Sequence, residues 1–185
     1  TDCVALILLN HGIFSFGVTA KVAYDRLLDL VTLAEARAPR AVVPIVKLSD
    51  GVIPASEVAP IIRGKCVLPG SDGENFPFIS TFRTSDCIRA YSVSESTPRL
   101  VRSGPGTPDH VIRTKPWPLL VDTPRVGTLP SWSDEFSKML ANYQKDYQNY
   151  FSRNNGIQSS ERTPIESMTR VVVVKGLGFF ELGTN

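Results

Sequence analysis

Residues 5–17 read ALILLNHGIFSFG: an apolar run that ends in Asn-His-Gly, followed by a second apolar stretch closed by Gly17. A continuous apolar run of this length is the pattern of a strand covered on both faces, so Val4 to Leu9 is expected to be a buried strand with a glycine-punctuated turn after it. Read by position alone, His11 in that turn is either a metal ligand or a turn histidine beside the core. From Thr19 onward the period becomes helical. Ala23, Leu27, Leu30, Val31 and Ala34 share a face, Thr19 is placed to cap the start, and Pro39 ends the helix. The opening is therefore strand, turn, amphipathic helix.

The far end of the chain repeats the theme. Arg170 to Lys175 contains four consecutive valines and reads as a buried strand, and GLGFFELG follows it. Aligning ILLNHGIFSFG with VVVKGLGFFELG sets Gly12 against Gly178, Phe14 against Phe180 and Gly17 against Gly183, with Leu177 in the place of His11. Either the two ends are related strand-turn units or two glycine-punctuated strands resemble each other by chance. The spacing GxGxxxxG is not the dinucleotide fingerprint GxGxxG, and Phe179 and Phe180 would crowd a pyrophosphate.

Between these ends, AVVPIVKL is a weak strand because of its proline, and Ser56 is placed to cap a short helix over Glu57 to Arg63. PFISTF reads as a strand, and Ser85 to Tyr91 as a short element running into another strand through Val93. Prolines from Pro98 to Pro130 exclude a long helix there and imply a connecting loop with a short strand at Leu119 to Val121. SWSDEFSKMLANYQKDYQNYFSRNNG then gives a long helix, capped by Ser133 and stopped by Asn155-Gly156. Phe136, Leu140, Tyr143, Tyr147, Tyr150 and Phe151 form its packing stripe.

Composition bounds the partners. The 185 residues are 42% hydrophobic and 21% charged, the profile of an ordinary globular chain. Twenty basic residues against eighteen acidic ones leave a net charge of +2 and no long basic run, which points away from nucleic acid and membrane surfaces. Cys3, Cys66 and Cys87 are odd in number and form no CxxC pair, the usage of free thiols in a reducing compartment such as the cytoplasm. No apolar run is long enough to span a bilayer. His110, beside Asp109, either adds a metal ligand, contacts substrate, or is an exposed loop histidine. Arg113 and Lys115, two apart on a segment read as extended, would face one side and hold a phosphate, or are solvated charge.

The NHGxxxxG turn with its following TAKVAY helix resembles the third histidine segment of the class II aldolase/adducin family. TPDHVIRTKPWPLL, residues 107–120, is similar to a segment of the bifunctional rhamnulose-1-phosphate aldolase/short-chain dehydrogenase family. So, in the same order, are APIIRGKC, SDCIRAYSVSES, YQKDYQNYF and RVVVVKGLGFFELG. The resemblance implies an α/β fold, a mixed or antiparallel sheet with flanking helices, incomplete at the N-terminus. It implies zinc held by three imidazoles with an open position, at which a ketose 1-phosphate such as rhamnulose 1-phosphate is cleaved to dihydroxyacetone phosphate and an aldehyde. His11 matches the third zinc ligand. The other two belong to a His-x-His segment, and the general base to a glutamate, both upstream of the NHG turn in the family and neither found here.

The chain is accordingly expected to be one partial aldolase domain over 1–185, truncated at both ends and inactive alone. Its parts would be a strand-turn-helix at 1–38, a connecting loop at 98–130, and the long helix and terminal strand at 131–185. Homo-oligomerisation is expected too, through open sheet edges and the aromatic helix from Asp134 to Phe151. The alternative within the same family is a non-catalytic structural or interaction domain like the adducin head.

Overall fold

The computed structural model describes residues 3–9, 11–38, 45–47, 50–70, 72–157, 160 and 162–184. Its centre is a hairpin of two strands, β7 (Val171–Val174) and β8 (Gly178–Gly183), in the middle of a four-stranded sheet. Side chains alternate across a strand, so Val172, Val174, Phe180 and Leu182 point to one side, where all four are buried. Strand β5 (Ile79–Arg83) pairs antiparallel with β8, and β6 (Leu119–Val121) pairs parallel with β7, giving the order β5-β8-β7-β6. The sheet is mixed and carries helices, as expected for an α/β fold of the class II aldolase kind.

The parallel β6–β7 pair needs a crossover, and helix α6 (Leu129–Asn155) provides it. Of its stripe, Phe136, Leu140 and Tyr143 are buried in the same core as Val58 and Ile62 of α2 (Ala55–Lys65), and Tyr147 is buried beyond them. The aromatic face proposed as an assembly surface is therefore spent inside the chain. Helix α6 begins earlier than expected, at Leu129 rather than after Ser133, because Pro130 fits a helical first turn, where no backbone donor is needed. Helix α2 likewise starts at Ala55 after Pro54, with Ser56 inside its first turn rather than capping it.

Two stretches differ from their sequence reading in type. Ser85 does cap an element, accepting a hydrogen bond from the Ile88 amide at 3.2 Å, but that element is helix α3 (Asp86–Val93) to its end, with no strand through Val93. Within the Pro-rich stretch lie two short helices, α4 (Thr97–Leu100) and α5 (Pro108–Thr114), each with its proline in the first turn, besides the expected strand β6. A small hairpin, β3 (Val67–Pro69) with β4 (Asn75–Pro77), completes this half. AVVPIVKL lies mostly outside the described residues; 45–47 have no regular structure.

The N-terminal unit departs most. β1 (Ala5–Leu8) pairs antiparallel with β2 (Gly12–Ser15), and α1 (Ala20–Arg37) follows, its first turn capped by Thr19 at 3.2 Å from the Val22 amide. The expected buried strand is exposed: Leu6, Ile7, Leu8 and Leu9 all stand in solvent, because among the described residues β1 and β2 pair only with each other. Among the described residues no helix is long and apolar enough to cross a membrane.

Two predictions test the core. Phe180 is fully buried and its ring lies 4.9 Å from that of Phe82; Phe180→Ala is expected to cost about 3–5 kcal/mol, read from the urea midpoint. The Cys66 thiol is buried at the C-terminal end of α2, and desolvation pushes its pKa up to about 12. A thiol kept protonated in the fold but ionised in the unfolded chain loses stability as pH rises above its ordinary value. Stability should therefore fall above about pH 9 by up to ~1.4 kcal/mol per pH unit from this group. Denaturation of wild type and Cys66→Val from pH 8 to 10.5 should show the shallower slope in the variant.

Candidate functional site

His11 sits in the turn between β1 and β2, where its amide donates to the Leu8 carbonyl at 3.1 Å. The imidazole is exposed, stacks on Phe14 with ring centroids 6.2 Å apart, and its nitrogens make no hydrogen bond among the described residues. Asn10 lies outside the described residues. A ring held on a tight turn with both nitrogens free is sterically able to ligate a metal. It has no companions, however: among the described residues no three His, Cys, Asp or Glu side chains gather where they could hold an ion. The described residues alone do not fit the zinc site that the family implies, since a tight site needs several ligands.

His110, Arg113 and Lys115 share one segment but not one surface. Residues 108–114 are helical rather than extended, because Pro108 opens a helix as readily as it interrupts one. His110 Nδ1 lies 2.6 Å from the Thr107 hydroxyl, and Arg113 Nε donates to Asp109 Oδ2 at 3.1 Å, an exposed pair of little energetic weight. Both side chains face solvent. Arg113 also lines a groove of about 320 Å³ with Ile79, Thr81, Arg170 and Glu181.

Lys115 goes the other way. It is the described non-glycine residue with positive φ, at 68°, and this left-handed step ends α5 and turns the side chain into the protein. Its ammonium donates to the Glu166 carbonyl, lies 3.3 Å from Glu166 Oε1, and sits 4.6 Å from the centroid of the Tyr147 ring. Arg170 reaches the same carboxylate at 2.7 Å while its guanidinium covers Phe78 at 4.6 Å. Burial lowers the Lys115 pKa, the Glu166 charge and hydrogen bond oppose that shift, and the Arg170 charge adds to it. Its side chain is excluded from solvent and joins Glu166 to Tyr147 of α6, away from the exposed His110 and Arg113.

Glu166 and Arg170 were not singled out in the sequence. Their i,i+4 spacing is a helical signal, but the segment that carries them is not helical, so no periodicity marked them. The signal that was available is TRVVVV, which puts Arg170 immediately before a buried strand, a place where a guanidinium needs a partner.

The comparisons with known proteins fit this architecture. A family profile described as "Aldolase class II, second domain" matches residues 54–185. The chain belongs to that class II aldolase family. Among curated proteins it is 24% identical over 193 residues to a protein of Bacillus subtilis (strain 168) described as "Uncharacterized oxidoreductase YuxG". That alignment covers 96% of this chain but only 26% of the relative, so the chain spans about a quarter of the relative's length. No solved structure matches it.

Removing the Lys115 ammonium leaves Glu166 short of one cation in a partly buried place. Lys115→Ala is expected to cost about 2–3 kcal/mol, and chymotrypsin should cut at Tyr147 and Phe151 earlier than in wild type.

Proposed function

We propose that this chain is part of a divalent-metal-dependent class II aldolase, using zinc, that cleaves a ketose 1-phosphate of the rhamnulose 1-phosphate kind to dihydroxyacetone phosphate and an aldehyde. The observation that carries this reading is the NHG turn: His11 stands exposed at the tip of a glycine-closed hairpin, its imidazole nitrogens without hydrogen bonds among the described residues. Membership of the family over residues 54–185 supports it. In this reading His11 is one metal ligand, and the remaining ligands and the general base come from polypeptide outside these 185 residues. The 185-residue chain alone is then catalytically silent.

His110 and Arg113, both exposed on α5, are the residues through which the sugar phosphate would be met. Arg113 and Arg170 line one groove, and a phosphate entering it would compete with Asp109 and Glu166 for the two guanidinium groups. Self-association belongs to the same proposal, through the outer edges of β1 and β2, which among the described residues pair only with each other. The exposed free thiols Cys3 and Cys87 support a reducing, cytoplasmic setting.

A second reading, a non-catalytic domain like the adducin head, is favoured by one residue. At the tip of the β7–β8 hairpin, where a ligand would sit by analogy with His11, there is Leu177, which is buried.

Zinc content and release of dihydroxyacetone phosphate from rhamnulose 1-phosphate separate the two. The 185-residue chain should retain no zinc after dialysis and show no cleavage. The complete gene product should hold zinc near one per chain and cleave the substrate, and His11→Ala in it should lose both, with a rate loss of at least about a hundredfold. Retention of metal and activity in that variant would overturn the assignment of His11. A complete gene product with neither would leave the scaffold reading.

A further inference from the structure

The hairpins β1–β2 and β7–β8 are one structure built twice. Ala5 pairs with Ser15, Leu6 with Phe14, Ile7 with Ile13 and Leu8 with Gly12; at a constant offset along the chain, Val171 pairs with Glu181, Val172 with Phe180, Val173 with Phe179 and Val174 with Gly178. The turns agree as well. The His11 amide donates to the Leu8 carbonyl at 3.1 Å, and the Leu177 amide donates to the Val174 carbonyl at 3.1 Å. At the open ends Phe16 donates to Val4 at 3.0 Å and Leu182 to Arg170 at 2.8 Å. Gly12 and Gly178 both take positive φ, at 135° and 154°. The two hairpins therefore share one loop length, one register and one turn geometry.

Each copy shows what the other is missing. Around β7–β8 the flanking strands β5 and β6 are present, and the face bearing Val172, Val174, Phe180 and Leu182 is buried. The corresponding residues of the first copy, Leu6, Leu8, Phe14 and Phe16, are 51%, 43%, 49% and 42% exposed. Around β1–β2, in turn, a helix follows the hairpin. The half-buried residues of that hairpin, Ala5, Ile13 and Ser15, lie on its opposite face, and those of α1 form the stripe Val22, Ala23, Arg26, Leu27 and Leu30. Arg26 ties the helix back by donating to the Phe16 carbonyl at 2.7 Å.

Carried to the second copy, the face toward α1, on which Ala5, Ile13 and Ser15 are half-buried and Ile7 stays exposed, becomes Val171, Val173, Phe179 and Glu181, of which Val173 is already buried. Three of these line an apolar groove of about 310 Å³ completed by Cys87, Ile88 and Tyr91 of α3 and by Pro118. Two further residues match. In the first copy a Cβ at Gly17 would lie 2.5 Å from the Ala23 amide nitrogen, so glycine is what lets α1 come this close, and Gly183 holds the corresponding place. Thr19 caps α1, and its counterpart in the sequence is Asn185, another strong N-cap residue.

We propose that the groove between α3 and the outer face of β7–β8 is the seat of an amphipathic helix that follows β8 as α1 follows β2. The occupant is continuing polypeptide, with a small residue at the place of Ala23 and apolar ones at the places of Leu27 and Leu30. The offset sets its direction: it starts at the Gly183 end of the sheet.

Cys87, exposed at the groove, reports on it; Cys3 is an exposed reference far along the chain, and Cys66 is buried and stays unlabelled while the fold is intact. Maleimide labelling, resolved by peptide mass, is compared between the 185-residue chain and the same chain lengthened along its own gene by roughly 20 residues, the size of α1 with its link. Lengthening should slow Cys87 by roughly tenfold or more, as docking protects a site from local access, and leave Cys3 unchanged. Equal Cys87 rates in the two chains would overturn the proposal. So would Cys87 protection in the unlengthened chain that increases with protein concentration, since the groove would then be covered by a second copy.

Discussion

The fold hangs on the inward face of one hairpin. Val172, Val174, Phe180 and Leu182 leave β7 and β8 on the same side because strand residues two apart share a face, and their burial brings α2 and α6 onto the sheet. The hairpin turn controls that face. A Cβ at Gly178 would lie 2.4 Å from the Arg83 carbonyl, so only glycine lets β5 close against β8 at this point. That approach sets the ring of Phe82 against Phe180 and places the Thr84 hydroxyl within 2.9 Å of the Leu177 carbonyl. A slip of one residue in the β7–β8 pairing would exchange Val172 and Val174 for Val171 and Val173 on the face packed against α2 and α6.

The charged cluster behind the sheet follows from the same register. Arg170 immediately precedes β7, and its carbonyl accepts the Leu182 amide, so its side chain is fixed beside Glu166 and Phe78. Lys115 completes the carboxylate from the other side at the end of α5. Desolvation works against the ammonium, and the short contacts to Glu166 and the Tyr147 ring offset it. Such a cluster contributes little net stability compared with apolar packing. What it contributes is placement, because a buried ammonium tolerates few arrangements of the segment that covers it.

How much was legible in the sequence follows from the range of the forces involved. Helix α1, the α6 stripe and the valine strand were read correctly because periodicity is local and each pattern is long. The start of α6 and the whole of α5 were misread as loop, since proline in a first turn and proline in a loop look alike until the following residues are known to bond backward. For Lys115 the sequence offers a phosphate contact or a solvated charge, because nothing local shows that α5 ends in a left-handed step or that Glu166, fifty-one residues away, waits inside. Of the candidate site, the exposed His11 turn was visible as a motif. The separation of His110 and Arg113 from Lys115 was not, because it depends on helical geometry that the prolines concealed.

Val4 to Leu9 is a different kind of difference. The apolar run has the composition of a buried strand, and its counterpart at the other end of the chain, Val171 to Val174, is buried once β5 and β6 flank it. The pattern therefore reports what a strand requires, not what the described residues supply. The two hairpins also separate backbone from chemistry. Glycine, alternation and a closing hydrogen bond suffice to build the same turn twice, and the turn residue is then free to be an exposed imidazole in one copy and a packed leucine in the other. A fold kept by its pairing can exchange an imidazole for a leucine at that position without any change in register, so the backbone of the turn does not by itself dictate its chemistry.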